Sequence, residues 1–131
     1  MKFYIHPIAV HYPIAFYFLE LVLILIWIGK NDRVYLQFAK FAFKLGYLCM
    51  FLAAAAGLFD VGGFNHVTGE VRVHFIAAMS VVVFYTIRAL FWKFGKLEQP
   101  HYRLTQFLFA ISGNILVAIT GYFGGRLVYA T

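Results

Sequence analysis

Five histidines carry most of the chemistry this 131-residue sequence can offer, and four of them fall in two pairs. His6 and His11 stand in "HPIAVHYP", and His66 and His74 in "NHVTGEVRVHF", each just before a long apolar run. Imidazole nitrogens bind metal ions and haem iron, so the first question is what could bring such rings together. Cys49 is alone inside an apolar segment, which excludes a disulfide framework, a Cys-x-x-Cys metal or redox motif and a Cys-x-x-Cys-His haem-attachment site. No acid/base or nucleophile constellation argues for an independent enzyme, and electron transfer is the better expectation.

The elements that position these rings follow from composition. The chain is 63% hydrophobic, 21% aromatic and only 12% charged, with a mean hydropathy of +0.82. A soluble domain of this size could not hide that much apolar surface, so lipid is the solvent for most of it. A spanning helix needs about 20 mainly apolar residues, and residues 9–29, 36–60, 71–92 and 103–128 qualify. The connectors "KNDRVY", "VGGFNHVTGE" and "KFGKLEQPHY" are short. They predict one domain over residues 1–131: an all-α, integral membrane, up-down-up-down four-helix bundle. No internal repeat, low-complexity segment or second domain is expected. The first helix lacks a basic n-region and a small-residue cleavage site, so it should be retained as a span.

The net charge of +6 is spread among apolar runs and not gathered in a stripe, which argues for membrane-edge anchors and against nucleic acid. Lys30, Arg33, Lys40 and Lys44 flank the first connector, and Arg88, Lys93, Lys96 and Arg103 the third, against Lys2, Arg72 and Arg126 at the other side. This bias puts connectors one and three in the cytoplasm and both termini outside. His6, His11, His66 and His74 then share the outer side, and His101 stands alone on the inner one.

Helices rise about 1.5 Å per residue, so equal intervals mean equal depths. The interval from Gly29 back to His11 equals that from Trp92 back to His74, which sets both rings about 27 Å above the inner boundary. Ala54 and Gly121 reach that level on the other two helices. With neighbours 8–10 Å apart, the diagonal between helices one and three is roughly 11–14 Å, room for one iron between two imidazoles. The Gly/Ala walls of helix two (Gly46, Ala53, Ala54, Gly57) and helix four (Gly113, Gly121, Gly124, Gly125) suit a flat macrocycle. His11 and His74 are therefore the expected axial ligands of one haem b.

Arg72, Arg126 and Tyr122 are the expected partners of its propionates, and Asp60, Asn65 and Glu70 the expected second shell of the imidazoles. His6 and His66, farther out, could ligate a second cofactor or hydrogen-bond in the loops. The residues leave other readings open. Histidines also serve as interfacial anchors, prolines as helix starts, glycines as close-packing surfaces, and several histidines together can hold zinc. Arg126 with Asp60 as a plain outer ion pair is one such alternative. Deeper in the membrane, Glu20 and Lys44 share a depth of about 12–14 Å and are expected to pair, since an uncompensated charge there is costly.

The segments "HPIAVHYPIAFYFLE", "GLFDVGG", "RVHFIAAM" and "GYFGGRLVY" resemble, in order and spacing, domain-of-unknown-function family 2231, small bacterial four-helix membrane proteins. The first segment matches the family's H-P-x-x-V-H-F-P-I-A pattern with Tyr12 in place of Phe. The resemblance covers nearly the whole chain and marks His6, Pro7, His11, Pro13, Asp60, His74, Gly124, Gly125 and Tyr129 as family positions. Relatives often continue past the final "LVY" into a further His-Gly-containing tail, whereas the sequence here ends at "YAT". The resemblance implies the bacterial inner membrane and, because some relatives are joined to Rieske or cytochrome c domains, redox work at the outer face.

The expectation is thus a membrane-embedded b-type cytochrome relaying electrons near the periplasmic face, between a quinol or partner redox subunit and an acceptor such as a c-type cytochrome. The alternatives are a non-haem structural subunit of a larger complex, or a homo-oligomer, and a metal-binding or transport protein using the outer histidines.

Overall fold

The computed structural model describes residues 4–129 and is all-helical there. Five α-helices follow in order: α1 (His6–Ala9), α2 (His11–Lys30), α3 (Arg33–Val61), α4 (Gly69–Phe94) and α5 (Tyr102–Tyr129), with a 3-10 turn at Phe64–His66 before α4. Helices α1 and α2 make one span, His6–Lys30, so four helices are long and apolar enough to cross a membrane. The break at Val10 has a local cause. Pro13 has no N–H to donate to the carbonyl of Ala9 four residues back, and the next helical bond, from Ile14 N to Val10 O, is stretched to 3.4 Å.

Local chemistry sets the ends. Asn31 closes α2 in the left-handed conformation at φ 56°, and the Asp32 carboxylate caps α3 by accepting from Val34 N at 3.0 Å. Gly62, at φ 88°, ends α3, a backbone state that a Cβ would strain. Each helix extends past the predicted stretch at both ends, because these caps lie beyond the apolar runs.

The four spans stand in a square. Helix α2 packs along α3 and α5, α4 packs along α5, and α3 and α4 touch only thinly. The backbones of α2 and α4 stay more than 8 Å apart, so these two parallel helices form a diagonal, as do α3 and α5. Large apolar side chains face outward, Phe18, Phe41, Leu52 and Phe59 among them at 60–77% exposure. Such a surface is stable only against lipid or other apolar helices.

The core shows an internal repeat, contrary to the expectation of none. Tyr17 stacks on Tyr85 with ring centroids 3.7 Å apart, Glu20 pairs with Arg88, and His6 meets His74 at 5.8 Å. All three pairs cross the α2–α4 diagonal at the same offset of 68 residues. The sequence repeats at that offset as well: His6, Ile8, Ala9, Phe16 and Tyr17 recur as His74, Ile76, Ala77, Phe84 and Tyr85. On the other diagonal, at one residue less, Gly46 and Gly57 recur as Gly113 and Gly124. The interval from His6 to Tyr17 is also that from Gly46 to Gly57, about three helical turns, so both members of each set share a face. Two helix-pair repeats related by an axis along the bundle explain the whole pattern.

Candidate functional site

Near the end that carries the N-terminus, the repeat axis passes between two part-buried imidazoles. His6 opens α1, where the first backbone N–H groups have no partner inside the helix. Its own N–H donates to Asp60 Oδ2 at 2.8 Å, so a carboxylate at the end of α3 caps α1 and complements its positive end. The ring is then held from the same helix: His6 Nδ1 bonds Ala53 O at 2.8 Å. One turn on, Gly57 leaves room for it, since a Cβ there would stand 3.0 Å from Nδ1.

His74 is held in the equivalent way. Its Nδ1 bonds Thr120 O at 3.2 Å, and a Cβ on Gly124 would come within 2.9 Å of its Cε1. Ala53 with Gly57 and Thr120 with Gly124 are repeat counterparts. A carbonyl oxygen only accepts, so these bonds assign the proton of each neutral ring to Nδ1. Each Nε2 then carries a lone pair and has no hydrogen-bond partner among the described residues. The two rings sit edge to face at 70°.

The structure therefore corrects the expected pairing of His11 with His74. The inward stripe of α2 is Pro13, Tyr17, Glu20, Ile24 and Trp27, and stepping back one heptad from Pro13 reaches His6. His11 lies on the opposite side of that stripe, is exposed, and bonds Pro7 O at 2.7 Å within its own helix. Counting depth from helix ends missed this because the buried pairs at offset 68, and not the ends, fix how α2 lies against α4.

His66 is exposed, with Nδ1 bonded to Gly62 O at 3.1 Å, and His101 is exposed in the last connector. Among the described residues no third His, Cys, Asp or Glu joins the pair as a ligand set. Of the expected wall residues, Gly57 and Gly124 lie against an imidazole, whereas Gly121 is exposed with open space around it and Ala54 is half-buried. Arg72 and Tyr122 are exposed. Arg126 forms a half-exposed ion pair with Glu70 at 2.7 Å, not the pair with Asp60, whose carboxylate serves the His6 backbone and not a ring.

Farther along the axis lies a fully buried ion pair that sequence reasoning assigned to other partners. Glu20 and Arg88 are both 0% exposed; Arg88 Nη1 donates to Glu20 Oε2 at 2.7 Å, Nη2 lies against Oε1, and Trp92 Nε1 donates to Oε1 at 3.3 Å. The guanidinium also stands 5.3 Å from the Phe43 ring centroid and 5.7 Å from that of Trp92, a cation–π setting. Lys44, the expected partner, is exposed. Depth alone suggested it; helical phase excludes it, since its neighbours Ala42, Phe43 and Gly46 are the buried ones. The missed signal was the repeat itself, which puts Arg88 where the first half has Glu20.

A family model described as "Predicted membrane protein (DUF2231)" matches residues 2–131. No curated protein and no solved structure matches the chain.

Proposed function

We propose, for a chain that belongs to the DUF2231 family of predicted membrane proteins, that His6 and His74 would together hold one haem b and that the protein is a membrane electron carrier. The observation that carries this reading is the matched restraint on the two rings: each Nδ1 is tied to a backbone carbonyl of the flanking helix. Metal-ligating histidines commonly donate their second ring nitrogen in this way, which fixes tautomer and orientation. Gly57 and Gly124 leave the room on the flanking helices that the two imidazoles occupy.

When bound, the haem would supply a reversible one-electron change. The chain's own residues do the positioning. Asp60 stops the start of α1 from swinging, the two carbonyls aim the rings, and the Tyr17–Tyr85 stack fills the axis beneath. A donor or acceptor such as a quinol, a c-type cytochrome or a Rieske protein would approach the end of the bundle that holds the pair, which this reading places on the periplasmic side of a bacterial inner membrane.

The 70° edge-to-face angle favours one second reading, in which the rings simply pack in a structural subunit of a larger complex. A reduced-minus-oxidised spectrum of detergent-purified protein from haem-replete cells separates the two. The first reading predicts one low-spin, bis-imidazole haem per chain; a folded, colourless preparation sinks it.

A further inference from the structure

The repeat has two interfaces between its halves, and they are not alike. Helices α2 and α5 pack closely, whereas α3 and α4, their counterparts, leave a groove of about 640 Å³ open to the surroundings. The sequence accounts for the asymmetry. Ala110 and Asn114 at the closed interface correspond to the bulkier Phe43 and Tyr47 at the open one. Asn114 Nδ2 reaches across to Tyr17 O at 3.2 Å, while Tyr47 holds α4 at the length of its own ring, with its hydroxyl 2.9 Å from Thr86 Oγ1.

The same comparison changes the charge. Lys40, Lys44 and Lys93 line the groove where the closed interface has Phe107, Ile111 and Leu25. No ion pair holds any of these lysines among the described residues. Lys40 Nζ lies 5.4 Å from the Trp92 ring centroid, and Leu48 and Phe51 continue the wall toward the bundle centre as exposed apolar surface.

We propose that this groove binds an anionic phospholipid, its phosphate among the three lysines and an acyl chain along Leu48 and Phe51. Basic pockets between spanning helices bind such headgroups. Three cations gathered on one groove, each apolar at the equivalent closed interface, go beyond the anchoring that scattered lysines provide.

Trp92 lines the groove, and the only other tryptophan, Trp27, is buried at 1% exposure. The full chain reconstituted in phosphatidylcholine vesicles can therefore be titrated with brominated phosphatidylglycerol or brominated phosphatidylcholine while tryptophan emission is followed. Quenching by the brominated phosphatidylglycerol should saturate at lower mole fraction, and the Lys40→Gln/Lys44→Gln/Lys93→Gln variant should lose that preference, by about fivefold for each lysine neutralised. Lys96→Gln, outside the groove, should keep it. Should the triple variant fail to insert, Lys93→Gln alone gives the same comparison at one exposed position. Equal curves for the two brominated lipids, or a preference that survives the lysine substitutions, would overturn the assignment.

Discussion

At the level of single residues, the site rests on what is missing as much as on what is present. Gly124 is tolerated beside His74 because it has no Cβ, whereas Gly121, one turn away, faces open space. Gly124→Val should therefore displace the imidazole and cost about 1–3 kcal/mol through overpacking, with loss of any cofactor held by the ring. Gly121→Val should do neither, as thermal denaturation and cofactor content would report. Asp60 makes a similar local prediction. Asp60→Ala removes the acceptor of the His6 N–H and should weaken the start of the first span by about 1 kcal/mol, seen as faster hydrogen exchange at residues 6–10 with the rest of the helix unchanged. His74 was legible in the sequence as an inward ligand candidate. His6 was not singled out as its partner, because depth was counted along the helix without asking which way residue 11 would face.

Among elements, the packing of α2 against α4 depends on the Glu20–Arg88 pair, which is removed from lipid and water alike. Breaking such a pair leaves an unpaired buried charge, so Arg88→Met alone should cost about 3–5 kcal/mol, while Glu20→Leu with Arg88→Met should recover most of that loss. Lys44→Met should stay within about 0.5 kcal/mol of the parent, as expected for an exposed position with no partner. A double-mutant cycle followed by denaturation in detergent checks all three. The four spans were readable from composition and connector length, since apolar runs of this length have few other solutions. The identity of the buried charge pair was not, because Arg88 looked like one more basic residue flanking a connector. Only the phase of Val81, Tyr85 and Arg88 on one stripe reveals that it points inward.

For the whole molecule, the repeat means that each half supplies one member of every pair on the axis. Halves divided in the connector at Val67–Thr68 and produced together should co-purify through one tag, and Arg88→Met in the second half should reduce recovery of the first several-fold. The repeat was present in the sequence as the recurrence of His-x-Ile-Ala and Phe-Tyr, but Pro7, Pro13 and the differing charges at positions 20 and 88 disguise it. The buried charge reversal, Glu20 against Arg88, gives the duplicated helix pair a defined partner across the bundle axis. The central claim is that His6, and not His11, shares one iron with His74. Its most direct measurement is the reduced-minus-oxidised absorption spectrum of four single variants purified alongside the parent chain. The account predicts that His6→Ala and His74→Ala each lose the low-spin haem signal while His11→Ala and His66→Ala retain it. A signal kept in His6→Ala and lost in His11→Ala, or no signal in a folded parent chain from haem-replete cells, would contradict it.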